Sequence, residues 1–317
     1  MLVSLITNSV AMGIIFLYGC LGETITERVG NLNLGIPGIM CLGALGGVIG
    51  VDVTYLIFSN PGWFVLMFNA ILFSAFFAMI GGIIYAFLTV SLQANQNVTG
   101  LVLTTFGVGL MKFIGTNLNS PSLSNASKIM KTLFNVGDKL GWFGKIFLNY
   151  GFLVYFAIIL AIFASIFIKK TRIGLFLRAV GESPNTADAQ GINIKKYKYT
   201  FILIGSAIAG LGGMYYVMDY SGGTTFTDGP IEAFGWLAVA LVIFSVWKPT
   251  IGILGAICFG LLYILPMYIK IDPIQLKIFD MFPYVTTVIV LILTSIFGGK
   301  SIQPPRSLGI NYYREDR

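Results

Sequence analysis

The sequence predicts an all-α fold, a polytopic helical membrane protein in which residues 1–317 form a single transmembrane domain. Three observations predict this class: 56% of the residues are hydrophobic, only 10% are charged, and the mean hydropathy is +0.85. Soluble domains contain about 25% charged residues. A chain with so few charged groups cannot cover a water-exposed surface with them. We therefore expect most of its surface to face lipid, where helices satisfy their own backbone groups.

Apolar runs along the chain predict about nine transmembrane spans, because a helix of about 20 apolar residues crosses a bilayer. The runs lie near 2–21, 35–51, 63–90, 98–116, 148–168, 199–219, 232–247, 250–269 and 282–298. The second, fourth and seventh runs are short. Short spans often belong to broken helices that border a substrate path, and tilt or close helix packing explains them equally well.

The distribution of Lys and Arg predicts the orientation. Cytoplasmic loops of membrane proteins are rich in basic residues, and such residues concentrate here in the loop 169–198 and the tail 300–317. With both segments inside, nine spans put the N-terminus outside and the C-terminus inside. The predicted outer loop 117–147 is also basic, which weakens this rule without reversing it. The rule accounts for the net charge of +7, so we expect no nucleic-acid partner.

The residue inventory argues against an enzyme. The chain has no histidine, the commonest general base and metal ligand, and we predict no catalytic residue and no metal site. Cys20, Cys41 and Cys258 are predicted to be small packing residues. The segment 298–301, Gly-Gly-Lys-Ser, resembles the end of a phosphate-binding loop, but Thr294 stands where that loop needs its first glycine. If the protein uses ATP, another subunit must therefore bind it.

The inner loop carries the signature of a short helix. Ser183 is a favourable N-cap, Pro184 fits the first helical position, and Gly191 can end the helix. These residues predict a helix of about two turns on the cytoplasmic side. Its alanines are small enough to enter a groove in a partner protein, and a solvated connector is the alternative.

Two polar stretches each lead into a short span, one in each half of the chain. The first covers 22–38 and the second covers 224–236, on opposite sides of the membrane, as in an inverted repeat. Neutral polar side chains that donate and accept hydrogen bonds suit the passage of a neutral polar solute. A capped loop is the alternative for the first stretch. The residues predicted to line a translocation path are Asn31, Asn33, Thr227 and Glu232.

Three segments, in this order, resemble one family of membrane proteins. Residues 23–38 read E-x-x-x-E-R-x-G and then Asn-Leu-Gly, residues 178–184 read R-A-x-G-E-x-P, and residues 305–312 read P-x-x-L-G-x-x-Y. Thr186 replaces part of the alanine pair that usually follows the second segment. The chain is similar to the permeases of ATP-binding-cassette importers, which include ribose, branched-chain amino acid and nucleoside permeases. The nucleoside branch fits best.

The resemblance implies partners and a role for the short helix. The helix would dock on a cytoplasmic ATPase subunit, which would hold the ATP and Mg²⁺, so that this chain needs no cofactor. The chain would pair with a second, related permease in a heterodimer within the lipid of the bacterial cytoplasmic membrane. A lipid-anchored substrate-binding protein would deliver the solute from outside. The residues implied in ATPase coupling are Arg178, Gly181, Glu182, Pro184, Asn185, Ala187, Asp188, Ala189 and Gly191.

We therefore expect a non-enzymatic transport subunit that moves a purine or pyrimidine nucleoside by ATP-driven alternating access. A permease for a sugar, a branched-chain amino acid or riboflavin is the alternative within this class. An ion-coupled secondary transporter is the alternative from another class. Such transporters place carboxylates deep in their spans, and the predicted span interiors hold almost none, since Asp219 and Glu232 lie at span ends.

Overall fold

A computed structural model describes residues 2–115, 121–132, 141–223, 228–269, 278, 279, 281–297 and 303–313. Within these residues the fold is helical and contains no strand, which confirms the all-α class. The helices are α1 (Leu2–Arg28), α2 (Ile36–Ile57), α3 (Trp63–Ala86), α4 (Gln96–Gly115), α5 (Pro121–Thr132), α6 (Gly141–Phe147), α7 (Phe152–Lys170), α8 (Arg172–Glu182), α9 (Pro184–Ala189), α10 (Ile194–Tyr215), α11 (Asp228–Phe244), α12 (Pro249–Tyr268) and α13 (Phe282–Phe297). Helices α3 and α10 continue into π-helical turns at Phe87–Ser91 and Tyr216–Tyr220.

Seven helices of the described part are long and apolar enough to cross a membrane: α1, α2, α3, α4, α7, α10 and α12. Helices α11 and α13, with 17 and 16 residues, are shorter. They coincide with the seventh and ninth predicted spans. The structure thus agrees with a multi-pass protein, while the count of nine spans and the orientation of the termini stay predictions.

The first two spans are longer than the sequence predicted. Helix α1 has 27 residues and ends at Arg28 rather than near residue 21, and α2 has 22 residues. Glu23 and Glu27 therefore lie in the last turns of α1 and not in a loop. Every residue of the range 12–27 is buried, because α1 is surrounded by other helices. A helix end enclosed by protein can be polar, since its side chains find partners there.

Glycines bring the central helices into close contact. Gly22 of α1 faces Gly205 of α10, and Gly43 of α2 faces Gly210 of α10. A methyl group at Gly22 or Gly43 would collide with the backbone of the opposite helix. Small residues at such crossings are typical of membrane bundles, where close van der Waals packing drives helix association.

The two halves of the chain pack in corresponding ways. Helices α1 and α10 run antiparallel: the Tyr215 hydroxyl donates to the Ala11 carbonyl (2.9 Å) near the start of α1, and Gly205 lies against Gly22 near its end. Helix α1 packs against α11 and α12, and α10 packs against α2 and α3. The neighbours of α1 and α10 thus correspond when the halves are exchanged. This arrangement agrees with an inverted repeat.

Basic side chains gather at one end of the bundle, which we call the basic end. It comprises the ends of α1 and α7, the starts of α10 and α12, helices α8 and α9, and the C-terminal tail 303–313. The end of α10, the starts of α1 and α7, and helix α5 form the opposite end. The basic residues of the basic end include Arg28, Lys169, Lys170, Arg172, Arg178, Lys195, Lys196 and Lys248.

Candidate functional site

The predicted short helix is present as α9, at the basic end. The Ser183 side chain accepts from the Thr186 amide (3.4 Å), and Pro184 occupies the first turn. At the other end, Gly191 has φ +82°, its amide donates to Asp188 O (2.9 Å), and the Ile192 amide donates to Ala187 O (3.1 Å). This pair of hydrogen bonds is the Schellman termination that glycine favours. Residues within α9 and beside it thus fix both of its ends.

The residues implied in ATPase coupling differ in exposure. Ala187 is only 3% exposed and packs in a small core with Leu177 and Ile194, so it faces the protein. Gly181 is also buried, against the carbonyl of Arg28. The half-buried residues are Arg178, Pro184 and Asp188. The residues exposed at the surface, where a partner protein can reach them, are Glu182, Asn185, Ala189 and Gly191.

The C-terminal tail holds α8 and α9 in place. The Tyr312 hydroxyl donates to the Asp188 carboxylate (2.8 Å), and the Ser307 hydroxyl and amide donate to Gly181 O (2.6 and 3.0 Å). A cavity of about 560 Å³ lies between α9 and the tail, and its lining includes Gln93, Asp188 and Tyr312. The exposed surface of α9 therefore lies beside a concave surface of mixed polar and apolar character.

The tail also contacts the turn between α3 and α4. The Asn311 amide group donates to Gln93 O (2.6 Å) and accepts from the Gln96 side chain (3.0 Å). Gln96 in turn accepts from the Leu32 amide (2.8 Å), in the loop that joins α1 to α2. Sequence reasoning did not single out Gln93, Gln96 or Asn311. The tail segment of the family resemblance was the available signal.

A second cavity at the basic end, of about 310 Å³, is lined by several charged residues. Arg28, Arg178 and Lys248 line it together with Glu182. The guanidinium group of Arg28 donates to Trp247 O (2.9 Å) and interacts electrostatically with Glu182. Two implied coupling residues, Arg178 and Glu182, thus lie against the end of α1.

Two buried glutamates lie at the end of α1, one turn apart. The carboxyl groups of Glu23 and Glu27 interact electrostatically with each other. Adjacent buried carboxylates repel each other when both are ionised, and nearby donors offset this repulsion. The Asn33 amide donates to Glu23 (2.8 Å), and the Trp247 indole donates to Glu27. The pair therefore connects the α1–α2 loop to the α11–α12 turn.

The first pair of predicted path residues lies beside these glutamates. Asn31 and Asn33 are fully buried. The Asn33 side chain accepts from the Gly35 amide (2.9 Å) in front of α2, and its amide nitrogen has no hydrogen bond within the described residues. The Asn31 side chain lies near the Tyr85 hydroxyl without a well-formed hydrogen bond in the same part of the chain. Both side chains thus face the interior of the protein.

Of the second pair of predicted path residues, Thr227 and Glu232, the structure describes only Glu232. Thr227 lies outside the described residues. Glu232 is half-buried in α11, and three residues further along Gly235 lies against Pro37 of α2. Helix α11 therefore contacts the start of α2, although no described hydrogen bond joins Glu232 to Asn31 or Asn33.

The structure thus combines buried helices with one exposed short helix, α9, which the C-terminal tail holds in place. The comparison with known families agrees with this arrangement. The family described as the permease component of branched-chain amino acid transport systems matches residues 5–291. The chain belongs to this family. The permease is accordingly a multi-pass protein of the bacterial plasma membrane.

Relatives of the permease are named for different solutes. A protein named as a putative glucose permease, TsgC13 of Haloferax volcanii, is 31% identical, and the match covers 90% of each chain. The nucleoside permease NupC of Lactococcus lactis is 32% identical, covering 98% and 96%. The guanosine permease NupQ of Bacillus subtilis is 31% identical, covering 94% and 92%. No solved structure gives a significant match.

The buried glutamates change one argument drawn from the sequence. The case against an ion-coupled transporter used the scarcity of carboxylates within spans, but Glu23 and Glu27 are buried in the first span of the permease. Family membership now favours the importer class instead. The pair was missed because its residues were assigned to a loop, and because its partner Trp247 is 220 positions away from Glu27.

Proposed function

We propose that the permease is the transmembrane subunit of an ATP-binding-cassette importer that moves nucleosides into the cell by ATP-driven alternating access. The observation that carries this proposal is α9, a short helix capped at both ends and presented at the basic end of a family permease. Two of the three relatives described above are named for nucleoside or guanosine transport. The permease itself performs no covalent chemistry and contributes differential stability of its conformations.

A chain of hydrogen bonds can carry movement from α9 into the bundle. An ATPase that displaces α9 pulls on Asp188, which is bonded to Tyr312 of the tail. The tail holds the α3–α4 turn through Asn311, and Gln96 at the start of α4 accepts a hydrogen bond from Leu32 in the α1–α2 loop. Hydrogen bonds of this kind can break and re-form as a unit, which suits a protein that switches between two conformations. Movement of α9 would therefore reach the loop that contains Asn31 and Asn33.

The proposed assembly contains four kinds of subunit. A cytoplasmic ATPase binds ATP and Mg²⁺ and docks on α9, while a second, related permease completes the pore as a heterodimer. An extracellular, lipid-anchored binding protein delivers the solute to the opposite end of the bundle. This proposal also sets the orientation, with the basic end inside, as the positive-inside rule requires.

The substrate is the least constrained part of the proposal, because one relative is named for glucose. A sugar, a branched-chain amino acid or riboflavin remains the alternative solute. The neutral amides of Asn31 and Asn33 suit each of these as well as a nucleoside. Only a transport measurement separates them.

The test is uptake of radiolabelled uridine or guanosine into vesicles that contain the permease with its ATPase, second permease and binding protein. We expect uptake that requires ATP and survives an uncoupler of ion gradients. Uptake driven by an ion gradient without ATP would contradict the proposed mechanism. ATP turnover stimulated by glucose but not by nucleosides would retain the mechanism and replace the substrate.

A further inference from the structure

The opposite end of the bundle contains a cavity that lies apart from the contacts of the basic end. Its volume is about 580 Å³, within the range of about 300–1,000 Å³ that is usual for small-molecule sites. It lies between the start of α1, the start of α7 and the end of α10. The lining combines aromatic rings with a few polar groups: Asn8, Lys131, Tyr150, Tyr215, Asp219 and Tyr220.

The π-helical turn at the end of α10 presents the one carboxylate among the residues that line this cavity. Asp219 and Tyr220 are the last two residues of that turn, and both are half-buried. The Asp219 carboxylate packs directly on Gly151, where a methyl group would displace it. Lys131 of α5 interacts with it electrostatically. The Asp219 carboxylate is thus held in position, and Lys131 partly balances its charge. π-Helical turns are frequent at functional sites.

Tyrosine rings supply flat, apolar surfaces beside this carboxylate. Tyr220 stacks on Tyr216, with ring centroids 6.0 Å apart and planes 23° apart. Tyr215 is fixed by its hydrogen bond to Ala11 O. Tyr150 is 8% exposed, its hydroxyl makes no well-formed hydrogen bond within the described residues, and burial raises its pKa to about 12. It is therefore a neutral donor at physiological pH.

We propose that this cavity is the external binding site for the transported solute, and that it selects a vicinal diol attached to an aromatic base. In this site Asp219 accepts hydrogen bonds from both hydroxyls of the diol, as acidic residues do with ribose in dinucleotide sites. A tyrosine ring stacks on the base, an interaction that tolerates any base. The inference rests on the proposed nucleoside import and adds the site and the group it recognises.

The charges of the cavity favour this ligand over others. Lys131 beside Asp219 disfavours a cationic solute, and the carboxylate disfavours an anionic one. A branched-chain amino acid offers no diol to the carboxylate and no aromatic face to the tyrosines. A ribonucleoside offers both, and it carries no net charge.

The test compares uridine with 2′-deoxyuridine as competitors of radiolabelled uridine uptake by the complete importer in vesicles. The wild type should prefer uridine. Asp219→Asn should weaken the apparent affinity for uridine by about tenfold or more, because hydrogen bonds to a charged acceptor are strong. It should also lose most of the preference over 2′-deoxyuridine. Asp52→Asn changes an acid of α2 outside this cavity, and it should keep both the affinity for uridine and the preference over 2′-deoxyuridine.

A second pair of variants tests the ring. Tyr220→Phe should keep the affinity for uridine, and Tyr220→Leu should lower it about fivefold or more through lost stacking. Wild-type affinity in both Asp219→Asn and Tyr220→Leu, with uptake intact, would overturn the site alone. If Asp219→Asn weakened docking of the empty binding protein and left the preference between the two competitors unchanged, the residue would belong to a protein interface, which also overturns the site. An importer with no nucleoside uptake in the wild type would instead refute the proposed function.

Discussion

At the residue scale, the turn between α11 and α12 is held by the end of α1. Val246 and Trp247 both have positive φ, +54° and +53°, which is unfavourable for residues with a bulky side chain. Arg28 donates to Trp247 O, and Glu27 accepts from the Trp247 indole. These contacts stabilise a backbone conformation that costs about 1–3 kcal/mol at each such position. The buried acid of α1 therefore serves the conformation of a turn far away in sequence.

We expect Trp247→Phe to destabilise the permease. Phenylalanine keeps most of the ring packing but removes the donor to the buried carboxylate of Glu27, and an unsatisfied buried acceptor costs about 1–3 kcal/mol. Thermal unfolding of the purified protein in detergent or nanodiscs measures this loss. Trp63→Phe is the matched control, because the Trp63 indole nitrogen is buried without a hydrogen bond in the described part of the chain. Equal unfolding temperatures for the two variants would contradict the role of Trp247.

At the element scale, α9 was accessible to sequence reasoning because its ends are specified locally. Ser183, Pro184 and Gly191 act on backbone groups within a few positions of themselves. Which face of α9 is exposed was not accessible, since Ala187 and Ala189 are identical in type. Only the tertiary packing of α8 and α10 shows that Ala187 faces inward and Ala189 outward.

Substitution of the outward alanine tests docking of the ATPase. Ala189→Trp places a large ring on the exposed surface of α9 and should abolish co-purification of the ATPase together with uptake, while the permease stays folded. Ala187→Trp is unsuitable, because its ring would have to enter a small core. Ile173→Trp, at an exposed position of α8 at the same end, serves as the control. Normal ATPase binding by the Ala189 variant would exclude this surface as the docking site.

The C-terminal tail should transmit movement rather than bind the ATPase. Tyr312→Phe removes the hydrogen bond to Asp188 and leaves the exposed residues of α9 unchanged. We expect normal ATPase co-purification but severalfold less nucleoside transported per ATP hydrolysed. Tyr313→Phe, at an exposed neighbouring position, should behave like the wild type. Loss of ATPase binding in the Tyr312 variant would instead assign the tail to the docking surface.

At the scale of the whole molecule, the membrane class followed from composition, but the centre of the fold did not. The low charge content requires a lipid-facing surface, whatever the packing inside. That α1 and α10 form the buried centre depends on contacts between residues more than two hundred positions apart, such as Tyr215 and Ala11. Such long-range contacts also enclose the end of α1, so that Glu23 lies in a helix and not in the loop that the sequence predicted. The sequence alone singled out Asn31 and Asn33 as candidate path residues. Only the packing of the helices shows that both side chains are buried.

The crossing of α2 and α10 gives the last prediction. Gly43→Val should destabilise the whole bundle, because its side chain would meet the backbone of Gly210 and could not turn away. Overpacking costs about 1–3 kcal/mol where side chains can adjust, and the obstructing atoms here are main chain. The measurement is the fraction of detergent-solubilised protein that stays monodisperse after heating. Gly109→Val is the control, since nothing lies within 4 Å of a methyl group placed at this exposed position of α4. If both variants survive heating equally, α2 and α10 do not cross this closely. The correspondence between the two halves of the chain would then lack the contact between Gly43 and Gly210.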